Sequence, residues 1–285
     1  MRKILFLSLL VWSFADVFAQ ATFKQTDLLK SFREAEELIS LEKYAVAQPI
    51  LQHFIEKYED KTLDKSNMIY AEALYYQALC MKECASPESE KALTYFAENF
   101  KGHPKTNNAY FHLGDIAFVK ANYNDALAYF DKVDEDGLSG NDVYEFQYKR
   151  AFSNFALKKF TQARGYFNQM AANKKHPYQE EGYYYSGLSS YYLKDYNAAY
   201  KSFQPLEVSK KYGKIVPYYI ASIKFINKDY KGVVTYAEPK LKENVSYSNE
   251  IAHLLGNSYF ELNDYEKALY YLEKYTQNAV KITFG

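Results

Sequence analysis

The sequence predicts an all-α protein, organised as a solenoid of about seven tandem helix–turn–helix repeats. The first reason is a pattern of small and aromatic residues that returns about every 35 positions. The second is a low content of turn formers, with 11 Gly and 7 Pro among 285 residues. The third is the stretch 113–130, "LGDIAFVKANYNDALAYF", whose apolar spacing fits two amphipathic helices joined at 120–123. Together these features indicate stacked helix pairs rather than a single closed core.

The first 19 residues form a separate segment. Arg2 and Lys3 precede an apolar run at 4–14, which is shorter than the ~20 residues needed to span a bilayer. Val17 and Ala19 then place small residues at the positions that a signal peptidase requires. We therefore expect residues 1–19 to be a secretory signal peptide and residues 20–285 to form the mature array. No later stretch is apolar enough to predict a membrane span.

The repeat is clearest from Gly114, which is followed by Tyr123, Ala126 and Phe130. The aromatic residue in the place of Tyr123 recurs in later copies after steps of 37, 36, 34 and 35 residues. Those later markers are Phe160, Tyr196, Tyr230 and Tyr265, and upstream copies are anchored at Ala35 and, more loosely, at Ala78. The predicted units are 27–59, 67–100, 107–138, 144–176, 180–212, 214–246 and 249–278.

The small residues have a physical explanation. Glycine in the middle of a helix costs about 1 kcal/mol relative to alanine, so Gly187 is expected where a second helix comes very close. Ala199, the small residue of the second helix in the same unit, is its expected neighbour. The turns are short and allow only antiparallel helix pairs. One pair cannot bury its apolar face alone, which explains why the unit is repeated.

The chain resembles the tetratricopeptide repeat family. The family's Leu-Gly element appears at 113–114 and 255–256, and its Tyr-x-x-Ala element begins at Tyr123, Tyr196 and Tyr265. The resemblance extends from about 26 to 278 and implies a right-handed array whose first helices line a concave surface. The family's closing proline is mostly absent. Proline instead occurs inside predicted second helices, which it is expected to kink or end, at Pro49, Pro205 and Pro239.

The resemblance also points to a binding surface. Two positions seven residues apart on each first helix share the face that would line the concave side. Nine of these ten side chains are aromatic: Phe111, Phe118, Tyr148, Phe155, Tyr184, Tyr191, Tyr218, Phe225, His253 and Phe260. Such rings dominate binding hot spots, so we expect a groove for a peptide or protein. The alternative is that the rings pack within the array, the second ring of each pair against the next repeat.

No catalytic, cofactor or metal motif is present in the sequence. The five histidines are expected to be surface or packing residues: His53, His103, His112, His176 and His253. Cys80 and Cys84 allow three interpretations, namely a disulfide if the helix ends there, two small buried residues, or a metal site. We therefore expect a protein without enzymatic activity, cofactor or metal ion.

The predicted function is a non-catalytic scaffold of the periplasm or cell envelope of a bacterium, which binds a protein or peptide. The 35 basic and 35 acidic residues give no net charge and no electrostatic case for nucleic acid. Two alternatives remain, a glycan-binding module and the N-terminal region of a larger protein whose activity lies downstream. We expect the last second helix to end near Thr276 and leave Leu269, Leu272 and Tyr275 partly uncovered. This edge would then meet further repeats, a partner or a second copy.

Overall fold

A computed structural model describes residues 28–59 and 68–283, with side chains through 277. The predicted signal peptide lies outside the described residues. Within them the chain forms fourteen α-helices and no strand, which confirms an all-α repeat solenoid. Numbered in chain order, the helices are α1 28–40, α2 Tyr44–Glu59, α3 Met68–Glu83, α4 Ser89–Asn99, α5 Thr106–Val119, α6 Tyr123–Phe130, α7 Asp142–Ala156, α8 Phe160–Ala172, α9 Gln179–Tyr192, α10 Tyr196–Phe203, α11 Val216–Ile226, α12 Tyr230–Lys242, α13 Ser248–Glu261 and α14 Tyr265–Thr283.

The helices follow one another as seven pairs, and the contacts divide the chain into two compact units. The N-terminal unit ends at Leu138 and the C-terminal unit begins at Ser139. Within each unit, every second helix also contacts the first helix of the following pair, as α4 contacts α5 and α8 contacts α9. No helix of the described part of the chain has the length and apolar character needed to cross a bilayer.

The turns inside the seven pairs share one backbone geometry. A single residue with φ between 55° and 62° closes each turn: Glu42, Ala85, Ala121, Lys158, Lys194, Lys228 and Asn263. The next residue donates its backbone N–H to the carbonyl five positions earlier, as Asp195 does to Ser190 over 2.9 Å. This is the Schellman arrangement, which satisfies the last carbonyls of the first helix. Glycine usually occupies that left-handed position, but no glycine does so here.

Replacing a turn residue by glycine should therefore stabilise the fold. We expect Lys194→Gly to raise the free energy of unfolding by about 0.5–1 kcal/mol. Glycine relieves most of the strain of the left-handed conformation, and the larger conformational entropy of glycine in the unfolded chain offsets only part of this gain. Lys201→Gly, at an exposed position of the nearby helix α10, should lower the free energy of unfolding by about 1 kcal/mol. Urea denaturation of both variants measures the two changes. Equal destabilisation by both would contradict the assigned turn.

The repeat pattern forms the core. The small residues of both helices and the last aromatic of the pattern are buried in successive pairs, as Ala151, Ala163 and Phe167 are in the fourth pair. The first aromatic of the pattern starts the second helix and is half-buried in most pairs, as Phe160 is. The largest fully buried rings are Phe54, Phe96, Phe130, Phe146, Phe167 and Phe203.

The close contact of Gly187 differs from the expected one. A Cβ atom at Gly187 would lie 2.5 Å from the ring of Phe203, so the glycine faces that ring and not Ala199. A Cβ atom added at Gly114 would likewise clash with the ring of Phe130. The glycines thus make room for a large side chain sixteen residues later, rather than for a small residue on the second helix.

Two expectations about where helices end are corrected. Helix α2 continues through Pro49 to Glu59 and α12 continues through Pro239 to Lys242, whereas α10 does end just before Pro205. Helix α14 runs to Thr283 instead of ending near Thr276. The β-branched residues near the C-terminus each lower helix propensity by less than about 0.7 kcal/mol, and an existing helix needs no new nucleus. Leu269 is 59% exposed, while Leu272 packs at Gly256.

Candidate functional site

The ten predicted surface residues occupy three kinds of environment. Phe111 is only 3% exposed and belongs to the core of the N-terminal unit, so it cannot line an open groove. This expectation was wrong because helix periodicity does not show how deeply a face is covered. His253 and Phe260 are exposed. The remaining seven are half-buried: Phe118, Tyr148, Phe155, Tyr184, Tyr191, Tyr218 and Phe225.

The second ring of each predicted pair packs within its own repeat. Each one meets the aromatic residue that begins the second helix, edge to face, as Phe155 meets Phe160 with centroids 5.5 Å apart. The same contact recurs at Phe118, Tyr191, Phe225 and Phe260 with centroid distances of 5.6–5.8 Å. These five rings therefore brace the turns of their own repeats. Two of them also contact a ring of the next repeat, as the alternative expectation had it: Phe155 lies 5.1 Å from Tyr185 and Tyr191 lies 5.8 Å from Tyr219.

In three of the four predicted pairs of the C-terminal unit, the first ring meets a tyrosine from the loop before the next repeat, whereas His253 meets Tyr275 of α14. The three tyrosine pairs are Tyr148 with Tyr178, Tyr184 with Tyr212, and Tyr218 with Tyr247. Their centroid distances are 4.7, 4.4 and 5.1 Å. The first two pairs are stacked and the third is tilted.

Further rings join the three tyrosine pairs. Phe152 lies 6.0 Å from Tyr148 of the first pair and 5.3 Å from Tyr185. Tyr185 in turn lies 5.2 Å from Tyr184, so these two rings link the first pair to the second. Tyr219 lies 6.4 Å from Tyr184 and 5.2 Å from Tyr218, and so links the second pair to the third. The C-terminal unit thus carries a continuous row of rings across three successive repeats.

Few charges accompany this row. The carboxylate of Glu181 forms an ion pair with Lys211, and its side chain is only 13% exposed. Tyr178 donates its hydroxyl to Glu145, which is also paired with Lys149 at 2.9 Å. Burial, followed by that hydrogen bond, raises the pKa of Tyr178 to about 12. Burial also raises the pKa of Tyr148, Tyr184 and Tyr212, so these hydroxyls are neutral at physiological pH.

A His-Pro turn positions the loop tyrosine of the first pair. Tyr178 donates its backbone N–H to Nδ1 of His176 over 3.0 Å. The Nε2 atom of His176 lies 2.8 Å from Oε1 of Gln147. Because Nδ1 accepts a hydrogen bond, the proton of the neutral ring is on Nε2, which donates to Gln147. Pro177 fixes the backbone between the two residues.

The protonation of His176 should make stability depend on pH. Burial lowers the pKa of His176, and the nearby Glu181 carboxylate opposes this shift. The unfolded chain therefore takes up a proton near pH 6.5 while the folded chain does not, and stability falls as pH decreases from that point, by at most about 1.4 kcal/mol per unit of pKa difference. Denaturation curves at several pH values measure the slope. His176→Asn should remove this component, and an unchanged slope would contradict it.

The N-terminal unit contains the same turn with a different side chain. His103 accepts the backbone N–H of Lys105 at Nδ1 over 3.2 Å. The ammonium group of Lys105 then lies over the rings of Tyr75 and Tyr76, 5.8 and 5.3 Å from their centroids. A lysine here takes the place that Tyr178 has in the C-terminal unit, and a cation–π contact replaces the ring stack.

Two family models described as "Tetratricopeptide repeat" match the sequence, one over residues 86–140 and one over 253–279. The matched stretches include the first-helix and second-helix elements that recur along the whole chain. The chain therefore contains tetratricopeptide repeats. Tetratricopeptide repeats bind proteins or peptides and are typically non-catalytic scaffolds.

Solved structures show the same tetratricopeptide fold. The apo form of RapI superimposes with a TM-score of 0.57 at 15% sequence identity, over 89% of this chain and 77% of that one. The C-terminal part of a repeat protein from Cytophaga hutchinsonii gives a TM-score of 0.53 at 17% identity, over 86% and 93% of the two chains. No curated protein matches the sequence.

Sequence reasoning missed three of the six paired rings in this tetratricopeptide repeat protein. Tyr178, Tyr212 and Tyr247 lie in loops outside the helical pattern, although they recur with steps of 34 and 35 residues that match the repeat. Searching loops for the repeat period would have found them.

The remaining candidates for chemistry lie apart from the ring row. Cys80 is buried and Cys84 is exposed, and the two thiols are not bonded. Burial raises the pKa of Cys80 to about 12. Among the described residues, no group of three or more His, Cys, Asp or Glu could hold a metal ion.

Proposed function

We propose that this tetratricopeptide repeat protein is an exported, non-catalytic scaffold of the bacterial periplasm or cell envelope. In this proposal it binds an extended peptide, or an extended segment of a protein, along the three tyrosine pairs. The observation that carries the proposal is the row of paired rings across three successive repeats, in which Tyr212 is buried, Tyr247 is exposed and the other four rings are half-buried. One partner segment could contact all three pairs because they recur at the same position of each repeat.

The chemistry of the row suits a peptide. Tyrosine supplies a large rigid contact surface with few rotatable bonds, and its hydroxyl can donate to or accept from peptide groups. Glu181 and Glu145 are already paired with lysines, so a ligand needs no strong charge to match them. A partner is therefore selected mainly by shape, apolar side chains and hydrogen bonds.

Peptide display gives a direct test. The mature protein is used at neutral pH to select from a library of random peptides, and the affinity of the selected peptides is measured. Replacing Tyr148, Tyr184 and Tyr218 together by Ala should weaken binding more than 100-fold, because central tyrosines each contribute about 2 kcal/mol or more. Replacing Tyr95, which is an exposed tyrosine outside the row, should leave affinity unchanged.

Stability must be measured in parallel, because the three alanines also remove three ring contacts of about 0.5–1.5 kcal/mol each. Binding is therefore compared well below the melting temperature of the variant, with helicity checked by circular dichroism. Saturable binding of oligosaccharides, without selection of any peptide, would favour the glycan-binding alternative instead.

Export and self-association complete the proposal. Export is supported by the order of basic, apolar and small residues in 1–19. Fractionation of the parent cells, with sequencing of the mature N-terminus, tests it.

Self-association is supported by Leu269 and Tyr270, which are 59% and 60% exposed on α14. Light scattering of the mature chain should show a dimer that Leu269→Glu converts to a monomer. If the wild type is a monomer, self-association is excluded, and the rest of the proposal is unaffected.

A further inference from the structure

The His-Pro turn before α9 connects a titratable ring to the first tyrosine pair. His176 holds the backbone N–H of Tyr178, and the ring of Tyr178 stacks on Tyr148. Only one residue, Pro177, separates the histidine from the tyrosine that it positions. A change at Nδ1 of His176 is therefore transmitted directly to the surface.

The surroundings of His176 favour the neutral form of its imidazole ring. Helix α7 supplies Gln147, whose Oε1 atom accepts a hydrogen bond from Nε2–H, and Tyr144, whose ring meets the imidazole edge to face at 4.8 Å. The backbone N–H of His176 donates to the carbonyl of Asn173 over 3.0 Å. The ring is 5% exposed, so bulk water does not solvate an added charge.

The charged groups around this turn come from three elements. Glu181 on α9 favours the protonated ring but is neutralised by its ion pair with Lys211. Glu145 and Lys149 of α7 act through the hydroxyl of Tyr178. Lys174 and Lys175 precede the histidine in the same loop. No unbalanced carboxylate among these groups compensates a second proton on the ring.

We propose that His176 is a proton-operated latch on the tyrosine surface. With Nδ1 unprotonated, the latch holds Tyr178 against Tyr148. A proton on Nδ1 turns the acceptor into a donor that faces the N–H of Tyr178, so that bond is lost and the Tyr178 ring leaves Tyr148. The effect on ligand binding rests on the proposed function, whereas the movement of Tyr178 does not.

The latch is tested by nuclear magnetic resonance on tyrosine-labelled and histidine-labelled protein, titrated from about pH 7.5 to about pH 5. In the wild type, the Tyr178 ring signals should move towards those of an unstacked tyrosine in step with the titration of His176. His176→Asn keeps an oxygen at the place of Nδ1 and cannot titrate, so Tyr178 should stay stacked throughout. His176→Gln keeps the donor towards Gln147 but removes the acceptor, so Tyr178 should be released already at about pH 7.5.

His103→Asn is the matched control, because it changes the equivalent turn of the other unit and should leave Tyr178 unaffected. Tyr178 signals that do not follow His176, or an Asn variant that titrates like the wild type, would overturn the latch.

Peptides selected at neutral pH provide the second measurement. If they need the stacked pair, their affinity should fall up to tenfold per pH unit below the pKa of His176, and the Asn variant should lose this dependence. Failure to select any peptide would remove the proposed function while the resonance experiment still decides the latch.

Discussion

Adding one methyl group at Gly182 is expected to lower the free energy of unfolding by about 3 kcal/mol, at the upper end for overpacking of a close contact. A Cβ atom there would lie 2.7 Å from the backbone nitrogen of Ala171 and 2.9 Å from the carbonyl oxygen of Phe167. Both atoms belong to the backbone of α8 and cannot rotate away as a side chain can. Gly182→Ala must therefore push α9 away from α8, at the contact that joins two repeats.

Gly165→Ala is the matched control for this prediction. Gly165 lies inside α8, and nothing would lie within 4 Å of an added Cβ atom. The same substitution should therefore stabilise the protein by about 0.5–1 kcal/mol, the usual gain of alanine over glycine in a helix. Chemical denaturation followed by circular dichroism measures both variants. A loss at Gly182 no larger than 1 kcal/mol would show that α8 and α9 can separate easily.

Gly187 and Phe203 should be strongly coupled. Phe203→Ala alone is expected to cost about 3–5 kcal/mol because it empties a fully buried site. Gly187→Ala alone is expected to cost about 1–3 kcal/mol because its methyl group would meet the Phe203 ring. In the double variant the methyl group enters the space left by the ring, so the second change should cost almost nothing.

A double-mutant cycle measures this coupling, which we expect to be about 1–3 kcal/mol. Ala199 provides the comparison, since the sequence pattern had placed it opposite Gly187. A Gly187→Ala and Ala199→Gly cycle should be nearly additive. Strong coupling to Ala199 with additivity at Phe203 would restore the original assignment.

The helix pairs could be predicted because their information is local. The spacing of Tyr123, Ala126 and Phe130 shows which side chains share a face, and repetition of that spacing gives both the number of pairs and the turns between them. Burial of the small residues follows, since only small side chains permit close helices. Propensity was the weaker guide: Pro49 did not end α2, and the β-branched C-terminus did not end α14.

The partner of each residue could not be predicted in the same way. Gly187 faces Phe203 rather than Ala199 because the relative shift of two helices decides which side chains meet, and a spacing along one helix does not contain that shift. Phe111 is buried although its position in the repeat equals that of Tyr148. Tyr178 lies in a loop, where no helical period marks it. The candidate surface was thus located on the correct helices, but half of its paired rings were not.

The placement of the loop tyrosines bears on how such an array can grow by gene duplication. Tyr148 and Tyr178 both lie within 142–178, Tyr184 and Tyr212 within 179–212, and Tyr218 and Tyr247 within 213–247. Each of these segments contains one complete ring pair, whereas a segment cut at the helix boundaries, such as 142–172, loses one member. A duplication that starts just after a loop tyrosine therefore copies a helix pair together with its contact surface, and lengthens that surface by one ring pair at each event.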